Sequence, residues 1–210
     1  MKDMFDKKRF SLMMTGIAGI GICLSFLLEV NYGTDTCSFM NASLSRRTGI
    51  SYGTVAVLAN LLFFIPELIW GRRLIGPGTI ANMVLIGYIS DFCRMLEHRY
   101  LPAAIFTDLP WRPLVFVMAL IPFLFFVALY INADAGQAPY DAIPTIASER
   151  LHLPFAPVRI GWDCFAVLVG ILAGGRLTIA TVILAFAIGP SVTFIGKHFL
   201  HRTKPSLSAD

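Results

Sequence analysis

Asp163 stands four residues after Arg159 in the apolar stretch "RIGWDCFAVLVGIL", and ionisable groups in such a setting are costly to keep. At that spacing the two side chains share one helical face. The carboxylate then either titrates and carries a proton or cation, or is neutralised by the guanidinium and ties helices together. Asn60, in "AVLANLLFF", is a second polar residue deep in an apolar run. Two more carboxylates, Asp35 in "GTDTCSFMNASLSRRTG" and Asp141 in "PYDAIPTIASERLHLP", each precede a segment with helical patterning. Aspartate is a favoured N-cap because its oxygens accept the free N–H groups of a first helical turn. If the two helix starts meet, their carboxylates and positive dipole ends form a binding place for a small molecule or ion; if they stay apart, they only cap helices.

The surroundings of these residues are those of a membrane protein. Of 210 residues, 56% are hydrophobic and 14% charged, with a mean hydropathy of +0.70, whereas soluble domains are about a quarter charged. A bilayer-crossing helix needs about 20 apolar residues. Six such spans are predicted: Phe10 to Val30, Ser51 to Trp70, Thr79 to Ile89 with its flanks, Leu114 to Ile131, Ile160 to Leu172 with its flanks, and Ile179 to Ile195. The segments led by Asp35 and Asp141 are too short to cross and are expected as half-helices, either re-entrant or lying at the interface. No tract is left for a separate soluble domain, so the whole chain reads as one integral membrane domain.

The two halves resemble each other. Asp35 follows the first span as Asp141 follows the fourth, "IPELIWGRR" lies over "LVGILAGGR", and Thr79 to Ala81 repeats as Thr178 to Ala180. Asn60 then takes the place of Asp163, so a central site would hold one amide and one ionisable group. Repeats of about 10–97 and 112–200, each with three spans, must cross the membrane in opposite senses, because three is odd. The expected fold is therefore all-α, with six transmembrane helices in two inverted three-helix repeats, each carrying a half-helix after its first span. Thr79 and Thr178, at the starts of the third and sixth spans, are added to Asp35, Asp141, Asp163, Asn60 and Arg159 as candidate substrate- or ion-binding residues.

The stretches "YGTDTCSFMNASLSRRTGISYG", "GTIANMVLIGYISDF", "PYDAIPTIASERL", "RIGWD" and "AIGPSV" resemble the YczE/YyaS/YitT group of bacterial integral membrane proteins, most closely its YczE-like members. Leu177 departs from that pattern and from the repeat, both of which lead to an expected Gly. The resemblance implies a multi-pass protein of the bacterial inner membrane and carries over no substrate or reaction.

Other polar groups have structural readings. Glu67 is expected to pair with Arg72 or Arg73, and Asp91 with Arg94. Trp70, Trp111 and Trp162 read as an aromatic belt at span ends. His198 and His201 read as part of a basic anchor. Cys23, Cys37, Cys93 and Cys164 lack CxxC spacing, so no metal site or cofactor is expected. HExxH, GxSxG and Walker motifs are missing from the sequence, and the chain is not expected to be an enzyme. The formal net charge of +4 is accounted for by basic loops facing anionic lipid, not by nucleic acid. The expected partners are the bilayer and an unidentified solute, with homo-oligomerisation left open.

The leading functional reading is a small-molecule or ion permease. The competing one is a non-transporting accessory or scaffold that assists a partner enzyme or pathway. With both termini cytoplasmic, eleven of the 17 Lys and Arg residues, including every lysine, fall inside, as the distribution of basic loops requires. Topology reporters placed at both termini and at Arg72 should all report the cytoplasm; one on the opposite side would end the inverted-repeat reading.

Overall fold

Polar and glycine-containing breaks divide the apolar sequence into helices, and the capping chemistry at each break fixes where a helix starts or stops. The computed structural model describes residues 7–199. His201 and the basic residues Lys2, Arg202 and Lys204, used above for the anchor and the orientation, lie outside the described residues, as does the end of the second repeat. Among the described residues there are helices and turns and no strands.

The order is α1 (Lys7–Val30), α2 (Thr36–Thr48), α3 (Tyr52–Trp70), a 3-10 turn (Arg72–Leu74), α4 (Pro77–Tyr100), α5 (Ala104–Thr107), α6 (Trp111–Ala133), α7 (Pro139–Leu151), α8 (Phe155–Leu172) and α9 (Ile179–Phe199). Asp35 caps α2 by accepting the Ser38 N–H, and Ser51 caps α3 by accepting that of Thr54. Pro77 and Pro139 open α4 and α7, where a missing N–H has no cost. Five helices, α1, α3, α6, α8 and α9, are long and apolar enough to cross a membrane. The third predicted span falls on α4, which has 24 residues but carries Asp91, Arg94, Glu97 and Arg99 in its second half. The short α5 was not anticipated.

Local geometry recurs at a fixed step along the chain. Val30 and Ala133 end α1 and α6, Thr36 and Pro139 begin α2 and α7, Thr48 and Leu151 end them, and Tyr52 and Phe155 begin α3 and α8; each pair is 103 positions apart. The left-handed residues keep the same step, with Asn31 (φ 53°) and Asp134 (φ 54°), Gly33 (φ 142°) and Gly136 (φ 114°), and Gly49 (φ 73°) and His152 (φ 52°). This changes one expectation: Asp35 corresponds to Ala138, and Asp141 to Ser38. Asp141 is therefore no N-cap; it stands in the first turn of α7, which Ala138 precedes. Pro144 falls beyond the first turn of the same helix, where its missing N–H leaves the Tyr140 carbonyl without a helical donor.

α1 and α6 form the centre, with Met13, Ile17, Leu24 and Leu27 packed against Phe123, Tyr130 and Ala133. α4 lies on α1 and α3, and α9 on α6, while α2 packs against α8 and α7 against α3. Each half-helix thus rests on the opposite half of the chain. Contacts between helix ends fix directions: Arg94 on α4 reaches Glu29 near the end of α1, whereas Arg112 at the start of α6 donates twice to the Val30 carbonyl, at 3.1 and 2.9 Å. α1 and α4 therefore run together and α6 runs against them. The two glycines with high positive φ seat the crossovers. A Cβ on Gly33 would meet the Thr178 hydroxyl at 2.4 Å, and one on Gly136 would meet the Thr79 hydroxyl at 2.6 Å.

Lipid-facing helices gain little from apolar contact with each other, so close backbone approach carries their association. Gly53 of α3 and Gly87 of α4 supply it: a Cβ on Gly53 would sit 2.8 Å from the Gly87 carbonyl carbon. A Cβ on Gly161 of α8 would meet nothing within 4 Å. Gly53→Val should destabilise the detergent-solubilised protein by roughly 1–3 kcal/mol through overpacking, and Gly161→Val should leave its melting temperature within error of the parent.

Candidate functional site

The first turns of the two half-helices converge on one carboxylate. Asp163 Oδ1 accepts hydrogen bonds from Thr36 Oγ1 of α2 (2.7 Å) and from the Tyr140 hydroxyl of α7 (2.8 Å), and those two hydroxyls lie 3.1 Å apart. Its other oxygen accepts from Arg159 Nε at 3.0 Å, the expected pair one helical turn away. Arg159 Nη1 continues to Asp141 Oδ1 at 2.7 Å. One guanidinium thus bridges two carboxylates, in contacts that are stronger than neutral hydrogen bonds. Asp163 is 9% exposed and Thr36 4%, so water competes little for these groups.

A cavity of about 1190 Å³ surrounds this junction. Its lining comes from both halves of the chain and includes the exposed ion pair of Arg73 with Glu149. Asp35, Asp141, Asp163, Asn60 and Arg159 all line it. Five of the seven sequence candidates therefore share one space. Asn60 donates to the Ala56 carbonyl at 3.0 Å, one turn back on its own helix. Thr79 and Thr178 are not in the wall. Thr79 Oγ1 accepts the Gly76 N–H at 3.1 Å in a helix-start turn, and Thr178 and Thr181 hold the turn before α9, where Thr181 Oγ1 accepts from the Thr34 N–H. Their part is to seat Gly33 and Gly136.

The sequence reading missed the hydroxyls. Thr36 and Tyr140 are ordinary residue types beside Asp35 and Asp141, and the only signal was their place in the first turn after a break. Asn41 was also missed: it lines the cavity, is 2% exposed, and its Oδ1 has no hydrogen-bond partner in the protein.

Several pairings differ from expectation. Glu67 is fully buried with both oxygens unpartnered, because it faces into the packed end of α3 while Arg73 turns to Glu149 and Arg72 Nε to the Leu68 carbonyl. Asp91 accepts the Gly53 N–H at 2.7 Å where α3 and α4 touch, which leaves Arg94 to Glu29. Trp162 joins no belt; it packs with Phe63, Tyr140 and Phe165 beside the junction. The four cysteines are unbridged, and Cys37 lines the cavity. Among the described residues, no three His, Cys, Asp or Glu side chains gather as metal ligands.

Residues 7–197 match the model of a family of unknown function, DUF6198. The chain is 23% identical over 190 residues to an uncharacterized protein of Haemophilus influenzae, covering 89% of this chain and 83% of that one. It is 22% identical over 187 residues to the uncharacterized membrane protein YczE of Bacillus subtilis, covering 89% and 84%. No solved structure matches it. With the family match running through all the helices just described, the chain belongs to the DUF6198 family and is a YczE-like membrane protein.

Proposed function

We propose that the protein is a small-molecule or ion permease of the bacterial inner membrane, with α4 as its sixth span and both termini in the cytoplasm. The constant step of 103 residues, the opposed helix directions and the crossed seating of the half-helices support two inverted three-helix repeats. The observation that carries the transport reading is the junction at Asp163, where first-turn groups from both half-helices meet inside one cavity. A scaffold has no need of a charged, water-accessible space at the contact between its halves.

In this reading the conformation described is open towards the cytoplasm, the side on which the exposed pair of Arg73 and Glu149 lines the cavity. The α2 contact with α8 closes the other side. Exposing the site outward requires one repeat to rock against the other, which parts Thr36 from Asp163 while Arg159 keeps Asp163 and Asp141 paired. A polar contact between two rigid bodies, made in one state and broken in the other, is a physical basis for two discrete arrangements. The protein acts without chemistry on its solute.

Cys37 reports the alternation. In a protein whose other three cysteines are replaced by alanine, a membrane-impermeant maleimide should modify Cys37 from both faces, faster in inside-out vesicles. Thr36→Val removes a hydrogen bond to a charged group, a loss of roughly 1.5–3 kcal/mol, and should shift the inside-to-outside labelling ratio towards the outside by roughly ten- to a hundredfold. Labelling confined to one face in both proteins would exclude a permease and leave the accessory role.

A further inference from the structure

The cavity wall has a consistent bias in what it leaves unsatisfied. Around the junction the donors are engaged: Arg159 with Asp141 and Asp163, the Thr36 and Tyr140 hydroxyls with Asp163, the Tyr52 hydroxyl with Ser38, and Asn60 Nδ2 with Ala56; the cation of Arg9 also lines the cavity, at the start of α1. Its buried atoms without partners are all acceptors: Asp35 Oδ1, Asn41 Oδ1 and Gln137 Oε1. A buried acceptor left unpaired costs more than a made hydrogen bond returns. The Asp35 oxygen among them cannot donate, and so calls for a ligand that brings an N–H donor.

Charge gives the same answer by a separate route. The inner wall holds three carboxylates, Asp35, Asp141 and Asp163, against one guanidinium that already bridges two of them. Asp35 is left without a cationic partner. The opposite wall, from Ile20, Leu24, Met83, Phe123 and Val127, is apolar. The cavity also reaches the outer surface of the bundle between α8 and α9, which do not pack along each other; Ile160 and Phe186 line it while remaining 49% and 65% exposed. A solute with an apolar body has a surface to lie on and a side path from the bilayer.

We infer that the permeating solute is an organic ammonium ion with an apolar body, its N–H donors directed to Asp35 and Asn41. This rests on the permease reading and names its substrate class. Asp35→Asn is an informative variant because asparagine caps a helix as well as aspartate does, so α2 keeps its start while the charge is lost. Asn41→Leu removes an unsatisfied buried acceptor and should stabilise the empty protein while weakening binding, an effect opposite in sign to that of a residue needed only for folding.

Thermal stabilisation of the purified protein should be measured with ethyl, hexyl and adamantyl skeletons, each as the ammonium ion, the alcohol and the carboxylate. At least one ammonium ion should stabilise, and its alcohol and carboxylate should not. Asp35→Asn should weaken that ammonium roughly ten- to a hundredfold, the loss of a charge-assisted contact. Stabilisation by a carboxylate, equal stabilisation by an alcohol, undiminished binding in Asp35→Asn, or no response to any ammonium ion would each overturn the inference. Two-sided labelling of Cys37 is unaffected by those results and judges the permease reading on its own.

Discussion

Asp163 is the group on which the arrangement of the two halves depends. A carboxylate in an apolar helix must be compensated where it stands, because its desolvation is far larger than any single contact. Here the compensation comes from three helices. α8 supplies Arg159, α2 supplies Thr36 and α7 supplies Tyr140. Satisfying this one side chain requires that both half-helices point their first turns at the same place. Asp141 is then drawn in through the second arm of Arg159. The aromatic contacts of Tyr140 with Phe63 and Trp162 surround the junction with rigid, apolar bulk, which lowers the local dielectric and strengthens each polar contact inside it.

Much of the helical plan was legible because it rests on local physics. Hydropathy places the spans, and Asp35 marks the start of a short helix between two of them. Pairing by residue identity was less reliable than pairing by conformation. Matching Asp35 to Asp141 looked natural, yet the backbone sets Asp35 over Ala138, since it is the left-handed residues and helix ends that recur at the step of 103. Polar partners across helices were the least legible. Glu67, Asp91 and Arg94 each had an oppositely charged or basic neighbour close in sequence, and each turned elsewhere, because packing of α1, α3 and α4 decides which face is presented. Of the candidate site, the charged members could be found as costly residues in apolar runs. Thr36, Tyr140 and Asn41 could not, since a hydroxyl or an amide near a helix start has many ordinary uses.

The two halves of the chain differ in how their helices pack beside the cavity. In the first, Gly53 and Gly87 bring α3 and α4 into backbone contact, and the Asp91 carboxylate fastens them through the Gly53 N–H. The position 103 residues after Gly53 is Ala156, and counting from the helix starts at Pro77 and Ile179 sets Gly189 against Gly87. α9 lies on α6 without packing along α8, and a Cβ on Gly189 would meet nothing within 4 Å. Leu177, where glycine was expected, stands half-exposed at the same turn. One half is thereby sealed towards its neighbours and the other left with a seam. Asp163 lies in the half with the seam, and Asn60, 103 positions earlier, in the sealed one. Both residues are buried in the wall of the same cavity, so what separates them is the residue one turn earlier: Arg159 compensates the charge of Asp163, whereas Asn60 has Ala56 there and donates to its carbonyl.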